Sequence, residues 1–234
     1  MRSTTSDEQP APDPETPAST ALIVARGLGV DGEHGPLFAD VNLDLDQGFH
    51  LIQMPGGPSQ DSLMLTLAGR LKPTHGTVSV KGALKPASIR KHCAIAAFAD
   101  IDELEEAVTV QTVLTEQRRW VARWFSWVPR RPKVPELAAV FGDIPVPSPG
   151  TYIVELSDLE LFLLKITLAL MSDRPILVIG DLEQVRDNGN RALAVQRLGV
   201  MSLDRTIVVG ATNPLESDAP GHGAHDARPL TGKD

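Results

Sequence analysis

The chain has 234 residues, with 30 acidic side chains against 22 lysines and arginines and a formal net charge of -8. That length suits one domain with room for a subdomain, and the acidic balance argues against a general nucleic-acid binder, which presents a basic face. The single cysteine, Cys93, excludes an intrachain disulfide and, lying in an apolar run, reads as a buried small hydrophobe.

Residues 1–20 are rich in Pro, Ser, Thr and acids, have no apolar core of a secretory signal, and are expected to be a disordered tail. From Ala21 onward, "ALIVAR" and "PLFADVNLDLD" carry apolar and β-branched residues in short runs, the second alternating, and predict an antiparallel pair. "FHLIQ" reads as a buried strand entering the Gly/Pro/Ser loop "MPGGPSQD", and a helix is predicted over about 62–71. "TVSVKG" is a further alternating strand, and "CAIAAF" begins a second layer. Residues 109–141 are helical in pattern, with Pro135 near a helix start and Gly142 just past an end.

After the "PSPG" break, residues 158–172 form a helix that is apolar nearly all round and therefore deeply buried. Its run "LELFLLKITLALM" is interrupted by Lys165 and falls short of the roughly 20 residues that span a bilayer. "PILVIGD" and "RTIVVGAT" read as fully buried strands around the helix "NRALAVQRLGVM", an alternation that implies a parallel sheet. Residues 214–234 return to small and polar side chains and are expected to be a loose tail. His222 and His225 within it are not read as metal ligands, so no metal site is expected.

The order of elements over 21–213 resembles the ATP-binding cassette, the nucleotide-binding domain of ABC transporters. The stretches "FADVNLDLDQG" and "LAGRLKPTHGTVSVKG" carry the resemblance, the second keeping the family's spacing without a gap; "LSDLE" stands ahead of "PILVIGD" where the family places its signature. The resemblance implies an α/β fold: a P-loop NTPase-like parallel sheet, an N-terminal antiparallel β-subdomain, and an inserted helical subdomain at about 109–172.

Counting back from Leu67-Ala68-Gly69 sets "MPGGPSQDS" on the family's Walker A pattern. Met54 then holds the first glycine's place, Gly57 the middle one and Ser59 the third. Gly56 lies between, Gln60 replaces the lysine, and Asp61 and Ser62 take the two hydroxyl positions. Replacing lysine by Gln60 and a hydroxyl by Asp61 moves the loop two charges against phosphate, and Pro58 lacks an N–H. A structural role for Asp61 also fits, as N-cap of the following helix. "LSDLE" lacks the signature glycines, while Ser157 and Glu160 have the spacing of a capping box.

Asp181 matches the Walker B aspartate, but Leu182 stands where the catalytic glutamate would be, and Glu183, one residue late, is expected on the other face of the strand. Thr212 occupies the switch-histidine position, no glutamine lies between Leu84 and Val110, and Gly32 stands near the adenine-stacking aromatic's place. No residue is therefore assigned a catalytic role, and Gly56, Gly57, Ser59, Gln60, Asp61, Ser62 and Asp181 are read as a vestigial nucleotide site. Losing four such contacts, each worth about 1–3 kcal/mol, removes roughly 4–10 kcal/mol from a complex that at micromolar affinity has about 8.

Trp120, Trp124 and Trp127 recur at helical spacing beside Arg118, Arg119, Arg123, Arg130, Arg131 and Lys133, the one basic patch on the chain. The stripe reads either as core of the helical subdomain or as a docking surface built from Trp120, Trp124, Trp127, Arg130 and Arg131, residue types enriched at interfaces and membrane surfaces. The resemblance implies a permease or an intact cassette as partner, through a homodimer or heterodimer. It also implies a cytoplasmic location reached at the membrane through that partner, while the acidic balance and the lack of a long insertion argue against a nucleic-acid role. The expectation is a non-hydrolysing or regulatory cassette without a cofactor; the alternative is a working ATPase subunit using ATP and magnesium.

Overall fold

The computed structural model describes residues 21–124, 136–213 and 222–226, with side chains at 21–122 and 136–213. The predicted tail at 1–20 and the positions Trp127, Arg130, Arg131 and Pro135 lie outside the described residues, as does the side chain of Trp124.

Two sheets meet over helix α1. β1 (Ile23–Gly32) is hydrogen-bonded antiparallel on one side to β2 (Gly35–Leu45) and on the other to β4 (His75–Val80). The second sheet is parallel throughout, in the order β5 (Cys93–Ala96), β6 (Ile176–Ile179), β7 (Thr206–Ala211), β3 (Phe49–Gln53), β8 (His222–Asp226). Period-two alternation in the buried strands sorts their side chains onto two cores. Ile176 and Val178 join the core shared with α1 (Pro58–Leu67) and the antiparallel sheet, while Leu177 and Ile179 join the core formed with α5 (Asp158–Leu170) and α6 (Asn188–Met201).

The helical region consists of α3 (Val110–Trp124), the short α4 (Leu137–Phe141) and α5, with Val110, Val113, Leu114 and Val121 of α3 packed near Leu164 and Met171. A short α2 (Pro86–Ile89) precedes β5. This mixed α/β architecture is the expected one, with its antiparallel subdomain first and its helices inserted before β6. Gly142 ends α4 at φ 62 as anticipated, and Ser157 and Glu160 close a capping box at α5, Glu160 accepting from the Ser157 N–H at 2.8 Å.

Three expectations are corrected. Helix α1 begins at Pro58, four residues before the predicted 62, with Gly57 as N-cap and no side-chain cap. Asp61 is therefore inside the first turn and does not cap the helix. Residues 222–226, assigned to a loose tail, add β8 to the sheet in register with β3, because β3 offers a free row of backbone donors and acceptors that pairs regardless of side-chain type.

Lys165, the charge that breaks the apolar run of α5, is 8% exposed and lies 3.5 Å from Asp102 and 3.2 Å from Gln184 Oε1. Asp102 accepts from the Ala97 and Phe98 amides at 2.6 and 2.9 Å, holding Ala97 in the left-handed region at φ 56. Gln184 Nε2 donates to the Ala97 carbonyl at 2.7 Å. The loop after β5, where no glutamine was found, is thus held by its own Asp102 from within and by Gln184 from outside.

Candidate functional site

The glycine loop, the end of β6 and the end of β7 converge at the C-terminal edge of the parallel sheet, where open α/β sheets form ligand crevices. Pro58 at the first helical position starts α1 with a preset φ and no orphan N–H. Gly57 ahead of it takes φ 88, open to glycine at no steric cost. A Cβ on Gly56 would stand 2.6 Å from Thr212 Oγ1, so the residue at the switch position packs directly on the loop.

Gln60, in the place of the lysine, is fully buried. Its Nε2 donates to the Gly180 carbonyl at 2.8 Å and to Asp181 Oδ1 at 3.2 Å, tying α1 to the end of β6. Gly210 makes room for this: a Cβ there would run into the Gly180 carbonyl and approach Gln60 Nε2 to 2.8 Å. Gln60 Oε1 is buried and finds no donor among the described residues.

Asp181 ends β6 and accepts from the Glu183 N–H at 3.0 Å, starting a one-turn 3-10 helix, Leu182–Gln184. That turn overturns the expectation for Glu183. Instead of alternating to the opposite face, the chain curls, and Glu183 Oε1 accepts from the Thr212 and Asn213 amides at 3.0 Å each. Leu182, at the catalytic glutamate's position, is fully buried. Sequence reasoning missed the linking role of Glu183; its signal was the Asp181-x-Glu183 spacing of an Asx turn.

Burial first, and then a hydrogen bond with Glu183, push Asp181 up to about 6. Burial acts in the same direction on Glu183, but the bond from Asp181 and the amides of Asn213 and Thr212 outweigh it and hold that carboxyl below its ordinary range. Below about 6, where the pair holds a proton, that proton sits on Asp181, the carboxyl that is raised. Glu183 Oε2 is buried and finds no donor among the described residues. Asp61 is raised as well, by burial and then by the Asp100 carboxylate. A cavity of about 530 Å³ beside the pair is lined by Asp158, Asp181, Glu183 and Arg186 together with Leu156 and Phe162.

Of the predicted site residues, Gly56, Gly57, Gln60 and Asp181 are brought together here; Ser62 is buried in α1 at 8% exposure, and its backbone carbonyl accepts from Thr66 Oγ1 at 2.6 Å. Of the predicted docking residues, Trp120 is 63% exposed on α3. The core face of that helix belongs to its valines and Leu114, so a core stripe is not met at Trp120.

No family model and no curated protein matches the chain. Solved structures do. An ATP-binding subunit of an ABC transporter is similar at 16% identity and TM-score 0.61, covering 89% of this chain and 88% of that one. A putative ABC transporter ATP-binding protein from Pyrococcus furiosus is similar at 16% identity and TM-score 0.65, covering 86% of this chain and 96% of that one. CbiO1 from Clostridium perfringens, part of the ABC transporter complex cbiONQ, follows at 12% identity and TM-score 0.63, covering 89% and 86%. The chain therefore has the fold of ABC transporter ATP-binding subunits. Among the described residues, no helix is long and apolar enough to cross a membrane.

Proposed function

We propose that this chain is a non-hydrolysing cassette-like subunit that works through association with a membrane permease or with an intact cassette, on the cytoplasmic side of the membrane. The observation that carries the reading is Gln60, buried and hydrogen-bonded to Gly180 and Asp181 where a nucleotide-binding lysine would face phosphate. ATP and magnesium do not fit the residues present. The loop offers no cation, Thr212 stands against Gly56, and Asp61 and Asp100 place carboxyls near the helix start. No step of hydrolysis is assigned to any residue.

The exposed Trp120 supports a docking role for the tryptophan and arginine segment that continues with Trp124, Trp127, Arg130 and Arg131. The partner can be a permease, an intact cassette or a second copy of the chain.

Calorimetric titration with ATP, with and without magnesium, tests the reading. No saturable binding is expected below about 1 mM, and Gln60→Lys is expected to leave that result unchanged, because a single cation does not remove Asp61, Thr212 or Leu182. A micromolar dissociation constant, or turnover in the presence of magnesium, would establish the working-ATPase alternative.

A further inference from the structure

At the opposite, N-terminal edge of the parallel sheet, a second cavity of about 540 Å³ opens between the end of α1, the start of β5, and helices α3 and α5. Three guanidinium groups converge on it from separate elements: Arg70 just after α1, Arg90 just after α2, and Arg174 in the segment entering β6. The remaining lining is neutral, with Ile95, Trp120 and Val121 forming an apolar wall, and no acidic residue takes part among the described residues.

In a chain of net charge -8, three arginines around one cavity without a carboxylate is an arrangement that packing alone does not require. The ion pairs among the described residues are Arg26 with Asp44, His75 with Asp31 and Lys165 with Asp102, and none includes these arginines. Arg90 and Arg174 are each aimed by one nitrogen, Nη1 donating to the Gly69 carbonyl at 3.3 Å and to the Cys93 carbonyl at 2.8 Å. The carbonyls set direction, and among the described residues no carboxylate balances the positive charge. Partial desolvation, followed by repulsion from a neighbouring arginine, holds the exposed Arg70 and the half-buried Arg174 below the usual arginine value. The Cys93 thiol nearby supplies no counter-charge, because burial pushes it up to about 12 despite both arginines.

We propose that this cavity is a binding site for small amphiphilic anions, a carboxylate or phosphate monoester carried on an apolar body. The head group is held by the guanidiniums of Arg70, Arg90 and Arg174, which match planar oxyanions through paired N–H donors, and the body lies along Ile95, Trp120 and Val121. The cavity falls in the range of roughly 300–1,000 Å³ typical of small-ligand sites. This site is separate from the glycine loop, and its occupancy does not depend on whether nucleotide binds there.

Calorimetric titration of the full chain with decanoate and with decyl phosphate tests it, with decanol as the neutral counterpart of the same tail and inorganic phosphate as the bare head group. Both amphiphilic anions are expected to saturate, with decanol and inorganic phosphate binding at least about ten-fold more weakly, a difference of about 1.4 kcal/mol. A preference for decyl phosphate over decanoate, or the reverse, tells which head group the site selects. Arg70→Gln is expected to weaken anion binding about ten-fold or more while its ligand-free melting temperature is unchanged or raised, since the substitution relieves repulsion among the arginines. Should Arg174→Gln fail to fold, Arg70→Gln, at an exposed position, still decides. Equal affinity for decanol and decanoate, undiminished binding in both Arg70→Gln and Arg90→Gln, or saturation by an acidic peptide with no response to either amphiphile would overturn the proposal.

Discussion

Replacing Asp181 by asparagine separates the shared-proton account of the pair from a plain pair of charges. Asparagine keeps an Oδ1 to accept from Gln60 and from the Glu183 amide, and its Nδ2 can donate to Glu183 as the protonated carboxyl does. An acid whose folded pKa lies above its unfolded value holds more protons folded than unfolded. Between 3.8 and about 6 the contribution of Asp181 to stability therefore falls as pH rises, and it is fully lost above about 6. At about 1.36 kcal/mol per pH unit that interval sets a ceiling near 3 kcal/mol. Asp181 is only partly buried, and solvent screening reduces the expectation to about 1–2 kcal/mol. Glu183 works in the opposite sense, its depressed carboxyl stabilising the fold above 4.5 and less so as pH falls, so it is ionised at both pH 5 and pH 8. Urea melts should find Asp181→Asn about 0.5–1 kcal/mol more stable than the parent at pH 5, where about half of the interval has been crossed, and about 1–2 kcal/mol more stable at pH 8. A variant equally destabilised at both pH values would refute the shared proton.

Gly210→Ala should lower stability by about 1–3 kcal/mol in the same assay, because the added carbon meets the Gly180 carbonyl and displaces Gln60. Asp61→Asn should be neutral or stabilising by a few tenths of a kcal/mol, read from thermal melts, since Asp61 caps nothing and is raised by burial and by Asp100; a loss of about 1 kcal/mol or more would restore the capping role. A chain ending after Asn213 lacks β8 and leaves β3 as an open edge, so light scattering should detect concentration-dependent association absent from the full chain.

The strands were legible because their patterns state their environments. The alternation in β2 marks a half-solvated antiparallel strand, and the unbroken apolar runs of β6 and β7 mark strands covered on both faces. The start of α1 was misread because Asp61 has good N-cap chemistry, while the stronger signal, Pro58 at the first helical position, went unused. β8 was illegible for a different reason. "HGAHD" has no β-branched residue, and its pairing comes from the edge of β3 and not from its own propensity. The Gln60 contacts join positions separated by 120 residues in the chain, so the loss of lysine could be read in the sequence but its replacement by an internal bond could not.

The contacts that converge at the glycine loop join α1, the end of β6 and the end of β7 within the chain. Gln60 joins α1 to the end of β6, Glu183 joins the turn after β6 to the end of β7, and Thr212 closes on Gly56 to complete the circuit back to the loop. Each link lies at or beside a position where the resemblance places nucleotide chemistry, yet each joins protein to protein. Such a circuit stabilises one arrangement of the loop without ligand, whereas a site that switches with nucleotide needs two arrangements biased by differential binding. On the proposed reading, Gln60→Lys does not by itself create two arrangements, because the Glu183 and Thr212 contacts remain in place. Among the described residues, the exposed Trp120 beside the arginine-lined cavity is where charge and apolar area coincide on the surface, and on the proposed reading that is the face a partner would meet.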